Sequence, residues 1–134
     1  MQWDGINRRR FIRLQYPFTI HIYLPGKPAI STYTEDISTG GVKVTTNENI
    51  PPAVLLGLEI YLRAEPVICK GKIQWVQERT SRYLEGVKLY DAGIEFSDVK
   101  PADKEIIKEQ VEELSAKQEK QAKNVSEGSQ DSGN

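Results

Sequence analysis

From Pro17 to Phe96 the chain reads as short runs of alternating apolar and polar residues, separated by glycine and proline. The run Phe18-Thr19-Ile20-His21-Ile22-Tyr23-Leu24 puts Phe18, Ile20, Ile22 and Leu24 on one face and Thr19, His21 and Tyr23 on the other. That period of two is the pattern of a half-buried strand. Pro25-Gly26 turns the chain, Ala29 to Ile37 reads as a second strand, and Gly40-Gly41 leads into a third, Val42 to Thr46. Pro51-Pro52 interrupts again before Leu55 to Leu62 and Pro66 to Gln77, the latter with Val67, Cys69, Gly71, Ile73 and Trp75 on one face. Tyr83 to Tyr90 and Gly93 to Phe96 complete the series. Short strands at close spacing with such punctuation predict a mainly β fold, a small antiparallel barrel or sandwich.

Beyond Pro101 the period lengthens. Ile107, Val111 and Leu114, with Ile106 beside them, form a narrow apolar stripe at i, i+4 and i+7. This predicts a helix that starts at Pro101, is capped from Ser97 or Asp98, and docks on the strands by its first half. After Leu114 no large apolar residue occurs until Val125, and residues 124–134 are rich in Ser, Gly, Asn and acids, a composition that predicts disorder. The first fifteen residues read as a polar, mobile leader. The predicted organisation is therefore a leader at 1–15, a barrel with its helix at 16–115, and a polar helix end and tail at 116–134.

At 134 residues the chain suffices for one domain with its own core and an appendage. Its formal net charge of −1 argues against binding a nucleic-acid polymer, which usually takes a basic excess. The charge is uneven, however. Residues 1–24 hold four arginines against the single acid Asp4, whereas residues 98–134 hold six lysines against nine acids. A local basic end suits a small, highly charged anion. Cys69 is the sole cysteine, so no intramolecular disulfide is available, and its place in a strand pattern reads as a buried small hydrophobe. The lone histidine, His21, falls on a polar strand face. The longest apolar region, Val54 to Leu62, contains Gly57 and Glu59 and is too short to span a bilayer. With no signal-like stretch before the arginines, a cytoplasmic protein without membrane association is expected.

The chemistry concentrates in two segments. Arg9 and Arg13 form an RxxxR spacing within a run from Arg8 to Arg13. Positions i and i+4 share one side of a helix and one face of a strand, so both guanidinium groups can converge on one ligand whichever backbone forms. Such groups grip phosphate, pair with the O6/N7 edge of guanine and stack on aromatic rings. Asp36-Ile37-Ser38-Thr39-Gly40-Gly41 is a DxSxxG. Asp36 can accept from the guanine N1 and N2 donors, Ser38 can bond a phosphate oxygen, and Gly40-Gly41 let backbone N–H groups approach an anion. Together they suit a guanine nucleotide bound without chemistry. One His and one Cys in separate strands supply no nucleophile-base pair, and no metal-ligand spacing, P-loop or GxGxxG is present. No enzyme activity, metal or cofactor is expected.

RxxxR followed by DxSxxG at the start of a small β-rich domain resembles the PilZ family of bacterial cyclic di-GMP receptors. The likeness extends over about residues 7–115: Ile73-Gln74-Trp75-Val76 resembles the family's late Val-x-Trp strand, Ala92-Gly93-Ile94-Glu95-Phe96 its closing Gly-x-x-Phe strand, and a helix follows. The resemblance implies a six-stranded antiparallel β-barrel with a C-terminal α-helix. It also implies cyclic di-GMP as the ligand of Arg8, Arg9, Arg13, Asp36, Ser38, Gly40 and Gly41, with Arg10 and Trp75 as further candidate contacts. Trp75 has two open readings, a core indole or a ring at the ligand rim that stacks on guanine. Arg8, next to the motif, points to an intercalated dimer of the nucleotide. Binding is expected to order the leader across the barrel and to signal to an unidentified partner protein. The alternative, a small barrel for RNA or single-stranded nucleic acid, calls for exposed aromatics interleaved with basic residues across a strand face. Here the strand faces carry few basic residues near their aromatics.

Overall fold

The computed structural model describes residues 13–132, with side chains to residue 120. Six strands form, β1 (Thr19–Tyr23), β2 (Ile30–Ile37), β3 (Gly41–Thr46), β4 (Leu55–Tyr61), β5 (Val67–Thr80) and β6 (Lys88–Asp98), followed by one helix, α1 (Pro101–Ser132). The strands close into an antiparallel barrel in the order β1-β2-β3-β6-β5-β4. Closure gives every strand two hydrogen-bonded neighbours, and it turns the period of two into an inside and an outside. Ile20, Ile22, Val44, Leu58, Ile60 and Ile73 are among the side chains that fill the interior.

The helix docks through the predicted stripe: Ile107 and Val111 are buried in the core, with Ile106 and Leu114 packed at its margin. Its backbone stays helical to Ser132, past residue 124 where composition predicted the loss of structure. Residues 116–123 contain only Ala, Lys, Gln and Glu. These are good helix formers, and propagation from a docked first half is far easier than nucleation.

The structure differs from the sequence pattern at three other places. Tyr83 to Tyr90 and Gly93 to Phe96 are not two strands; β6 runs unbroken from Lys88 to Asp98. Asp91, between the two segments, pairs with Thr45 on β3 and Gln77 on β5. Its carboxylate accepts from Thr45 Oγ1 at 2.6 Å and from Arg79 Nε at 2.8 Å, so pairing on both sides overrides the local preference for a turn. Because β6 takes in Ser97 and Asp98, neither caps α1. The helix opens at Pro101, whose missing N–H would have no partner in the first turn anyway, and Asp103 complements the helix dipole there. Finally, the leader meets the barrel before residue 15. Leu14 is only 1% exposed; its N–H donates to Ile37 O at 2.8 Å and its carbonyl accepts from Ile37 N–H at 3.0 Å. Burying one leucine contributes about 1.5–3 kcal/mol, enough to fasten this segment.

Of three β-bulges among the described residues, one leaves Ser97 extra on β6, between the pairs Lys70–Asp98 and Gly71–Phe96, and the other two shape the surface over β2, β3, β6 and β5. In β2, Thr34 faces Val44 and Asp36 faces Lys43, which leaves Glu35 as an extra residue. In β5, Ile73 faces Ile94 and Trp75 faces Gly93, which leaves Gln74 extra. One extra residue shifts the alternation by one position. Thr34 and Ile73 are buried, so strict alternation would send Asp36 and Trp75 into the barrel as well. The bulges turn both outward.

Candidate functional site

The bulges in β2 and β5 open on the same stretch of surface. The register aligns Asp36 on β2 with Lys43 on β3, Lys43 with Gly93 on β6, and Gly93 with Trp75 on β5. One outward row thus crosses four strands as carboxylate, ammonium, glycine and indole. A cavity of about 440 Å³ lies over it, lined also by Arg13, Ser38, Gly40, Gly41, Gln74 and Glu95.

The bridge between Leu14 and Ile37 brings Arg13 and Asp36, neighbours of those two residues in the chain, to one corner of the cavity. Arg13 Nε lies 2.8 Å and Nη2 2.5 Å from Asp36 Oδ1. Both contacts fall on the same oxygen. The Arg13 side chain is half exposed and that of Asp36 19% exposed. An ion pair at such a rim contributes about 1 kcal/mol or less, so it opens readily when better partners arrive.

The floor is the turn from β2 to β3. Ser38 N–H donates to Gly41 O at 2.9 Å, and Ser38 Oγ accepts from Gly40 N–H at 3.2 Å. The serine is 1% exposed; it lines the cavity, but in this state its hydroxyl builds the turn. Phe96 N–H donates to Gly40 O at 3.0 Å and ties the turn to β6. A Cβ at Gly41 would collide with the carbonyl oxygen of Ile94 and lie 3.3 Å from Glu95 Cα, so this position admits only glycine without a shift of the backbone.

Trp75 is 44% exposed and belongs to the cavity wall, which removes the core reading. Arg8, Arg9 and Arg10 lie outside the described residues. Sequence reasoning missed Lys43, Gln74, Gly93 and Glu95 as lining residues. Gln74 Nε2 donates to Glu95 Oε1 at 3.1 Å, and Lys43 Nζ lies 3.6 Å from Glu35 Oε1. The only local signal for Lys43 was its outward place just beyond the Gly-Gly turn; the others enter through cross-strand register.

A polar network borders the cavity on its β3–β6 side. Thr45 Oγ1 bonds Glu35, the bulge residue, and Asp91, which in turn holds Arg79. Burial would raise the Asp91 carboxyl, but the bonds from Arg79 and Thr45 outweigh it and hold its pKa below the ordinary value. Across the barrel, Tyr23 O–H donates to Glu59 Oε1 at 2.5 Å and His21 Nδ1 lies 3.2 Å from the same oxygen. The Tyr23 bond, followed by the His21 contact, lowers the Glu59 pKa, and the carboxylate raises that of Tyr23. Burial pushes the Cys69 thiol up to about 12, which leaves it a protonated core group. Among the described residues no group of three or more His, Cys, Asp or Glu side chains could hold a metal ion, and no helix is long and apolar enough to cross a membrane.

The model of the PilZ domain family matches residues 7–113. No curated protein matches the chain in sequence. Among solved structures it is similar to the PilZ domain of YcgR from Escherichia coli with c-di-GMP, at a TM-score of 0.68 and 16% identity over 87% of this chain and 98% of that one. It is also similar to the Bacillus subtilis inhibitor of motility, MotI/DgrA (TM-score 0.66, 17% identity, 82% of this chain and 52% of that one). A third is the K. pneumonia MrkH–c-di-GMP complex (TM-score 0.68, 17% identity, 85% and 55%). The chain spans about half the length of the latter two.

Proposed function

The chain belongs to the PilZ domain family, and on that premise we propose that it is a receptor for cyclic di-GMP, acting by binding and not by catalysis. One observation carries this reading. Arg13 from the first motif and Asp36 from the second meet at the rim of a cavity of about 440 Å³ whose floor is the Ser38–Gly41 turn. The site then works by an exchange of partners. The Arg13 guanidinium leaves Asp36 for a phosphate or a guanine edge, and the freed carboxylate accepts from guanine N1–H and N2–H. Each charge-assisted bond gained contributes about 1.5–3 kcal/mol, against about 1 kcal/mol or less for the rim pair given up. Trp75 offers a face for a guanine ring and Lys43 a further cation for phosphate.

Arg8, Arg9 and Arg10 are proposed to complete the site from the leader, with Arg8 and Arg10 serving a second, intercalated nucleotide. Leu14 is the pivot: it fastens the chain to β2 immediately after Arg13, so residues before it can close over the ligand. A ligand that binds the closed state better supplies, through that difference, the free energy for signalling to a partner protein in the cytoplasm.

Titration calorimetry with cyclic di-GMP, cyclic di-AMP and a single-stranded oligonucleotide tests the proposal. The expected outcome is binding of cyclic di-GMP alone, with two nucleotides per chain. No heat with cyclic di-GMP, or equal affinity for the oligonucleotide, overturns the receptor reading. A one-to-one stoichiometry overturns only the intercalated dimer.

A further inference from the structure

We propose that Gly93 is a positioning residue of this site: its missing side chain is the seat that holds the Trp75 indole as a fixed wall of the cavity. The ligand half of this inference rests on the cyclic di-GMP reading; the seat itself does not. Gly93 and Trp75 are direct cross-strand partners on β6 and β5, and the Gln74 bulge brings the tryptophan to the outside just there. A Cβ at Gly93 would lie 2.5 Å from the indole Cε2 and 2.9 Å from Cδ1, and it would collide with Nε1. The ring therefore occupies the space that any other residue at position 93 would need. Gly93 is buried although its position faces outward, because the indole covers it.

The backbone has no room to yield. Gly93 pairs with Lys43 on one side and with Trp75 on the other. Nor does a left-handed conformation demand glycine here, since among the described residues the glycines with positive φ are Gly26 and Gly86. Alanine is thus conformationally acceptable at position 93, and the whole effect of the substitution falls on the ring. A base that stacks on an aromatic side chain gains most when that side chain is already held in place. Gly93 acts through Trp75, whose ring covers it.

The test uses the full chain with Trp3→Phe, which leaves Trp75 as the only tryptophan, and compares Gly93→Ala, Trp75→Ala and their combination. Without ligand, Gly93→Ala is expected to weaken the near-ultraviolet dichroism of the indole and to raise its quenching by acrylamide, with the far-ultraviolet spectrum unchanged. With cyclic di-GMP, Gly93→Ala should weaken binding roughly tenfold when Trp75 is present and have no effect when Trp75 is alanine. Equal losses in both backgrounds, or an unaltered indole signal, overturn the proposal. Should Gly93→Ala unfold the barrel, adding Trp75→Val must restore folding, and failure to do so also overturns it. If the parent binds no cyclic di-GMP, the receptor reading fails, while the indole signals still decide the seat.

Discussion

The β1–β4 side of the barrel and the β2-β3-β6-β5 side obey the same alternation but present different surfaces. Between β1 and β4, pairing runs without interruption from Thr19–Tyr61 to Tyr23–Gly57. The outward polar groups there occupy one another, with His21 and Tyr23 both on Glu59. On the other side, extra residues at Glu35 and Gln74 interrupt two ladders. These two re-aim one side chain each, Asp36 and Trp75, and the cavity lies between them. A regular ladder repeats the polar-out pattern that the sequence prescribes. A bulge moves to the surface a group that the pattern assigns to the core, where it can meet a ligand.

The contrast is tested most strongly at the arginines. Replacing Arg9 and Arg13 together by alanine should abolish binding of cyclic di-GMP, since each removes charge-assisted bonds of about 1.5–3 kcal/mol. The melting temperature should hardly change, because the Arg13 side chain is half exposed and Leu14 remains to fasten the segment. A double variant that binds within a few-fold of the parent would show that the bulged side is not the ligand side.

Asp36→Ala should have a smaller and selective effect. It removes the acceptor for the guanine N1 and N2 donors, so the preference for cyclic di-GMP over cyclic di-AMP should shrink by roughly ten- to a hundredfold, following the value of about 1.5–3 kcal/mol for bonds to a charged group. Competition titration reads this directly, and a parent that binds both dinucleotides equally contradicts the role.

A more modest effect is expected at the network that supports the Glu35 bulge. Burial opposes ionisation of Asp91, yet Arg79 and Thr45 hold its folded pKa below the ordinary value. A lowered folded pKa contributes stability that is complete above the unfolded value of about 3.9 and is lost as pH falls through the folded value. The gap in melting temperature between the parent and Asp91→Asn should therefore close as the pH is lowered below about 4. A gap that stays constant through that range would mean that the carboxylate's charge does not stabilise the fold.

The smallest effect belongs to the regular side. Glu59→Gln should leave nucleotide affinity within twofold of the parent, while the Tyr23 phenol, raised by its bond to Glu59, should return towards its ordinary pKa in an ultraviolet titration. A large loss of affinity in this variant would erase the distinction between the two sides.

Much of this molecule follows from local rules. Phe18, Ile20, Ile22 and Leu24 must share a face wherever a strand forms, and all four are buried. Ile107 and Val111 must share one side of a helix, and both reach the core. The two motifs singled out Arg13, Asp36, Ser38, Gly40 and Gly41 by residue type, and these five line one cavity. What the sequence left undetermined was the direction of particular side chains. Trp75 continues the series Val67, Cys69, Gly71, Ile73 by simple counting, yet it faces outward because Gln74 has no partner on β6. Asp36 turns outward for the same reason at Glu35. A bulge is a mismatch between two strands, so neither strand encodes it alone, and side chains gathered by register, such as Lys43 and Gly93, share its dependence on the partner. Periodicity along one chain settles which residues lie inside; pairing between chain segments distant in sequence decides which of them is turned out to form the site.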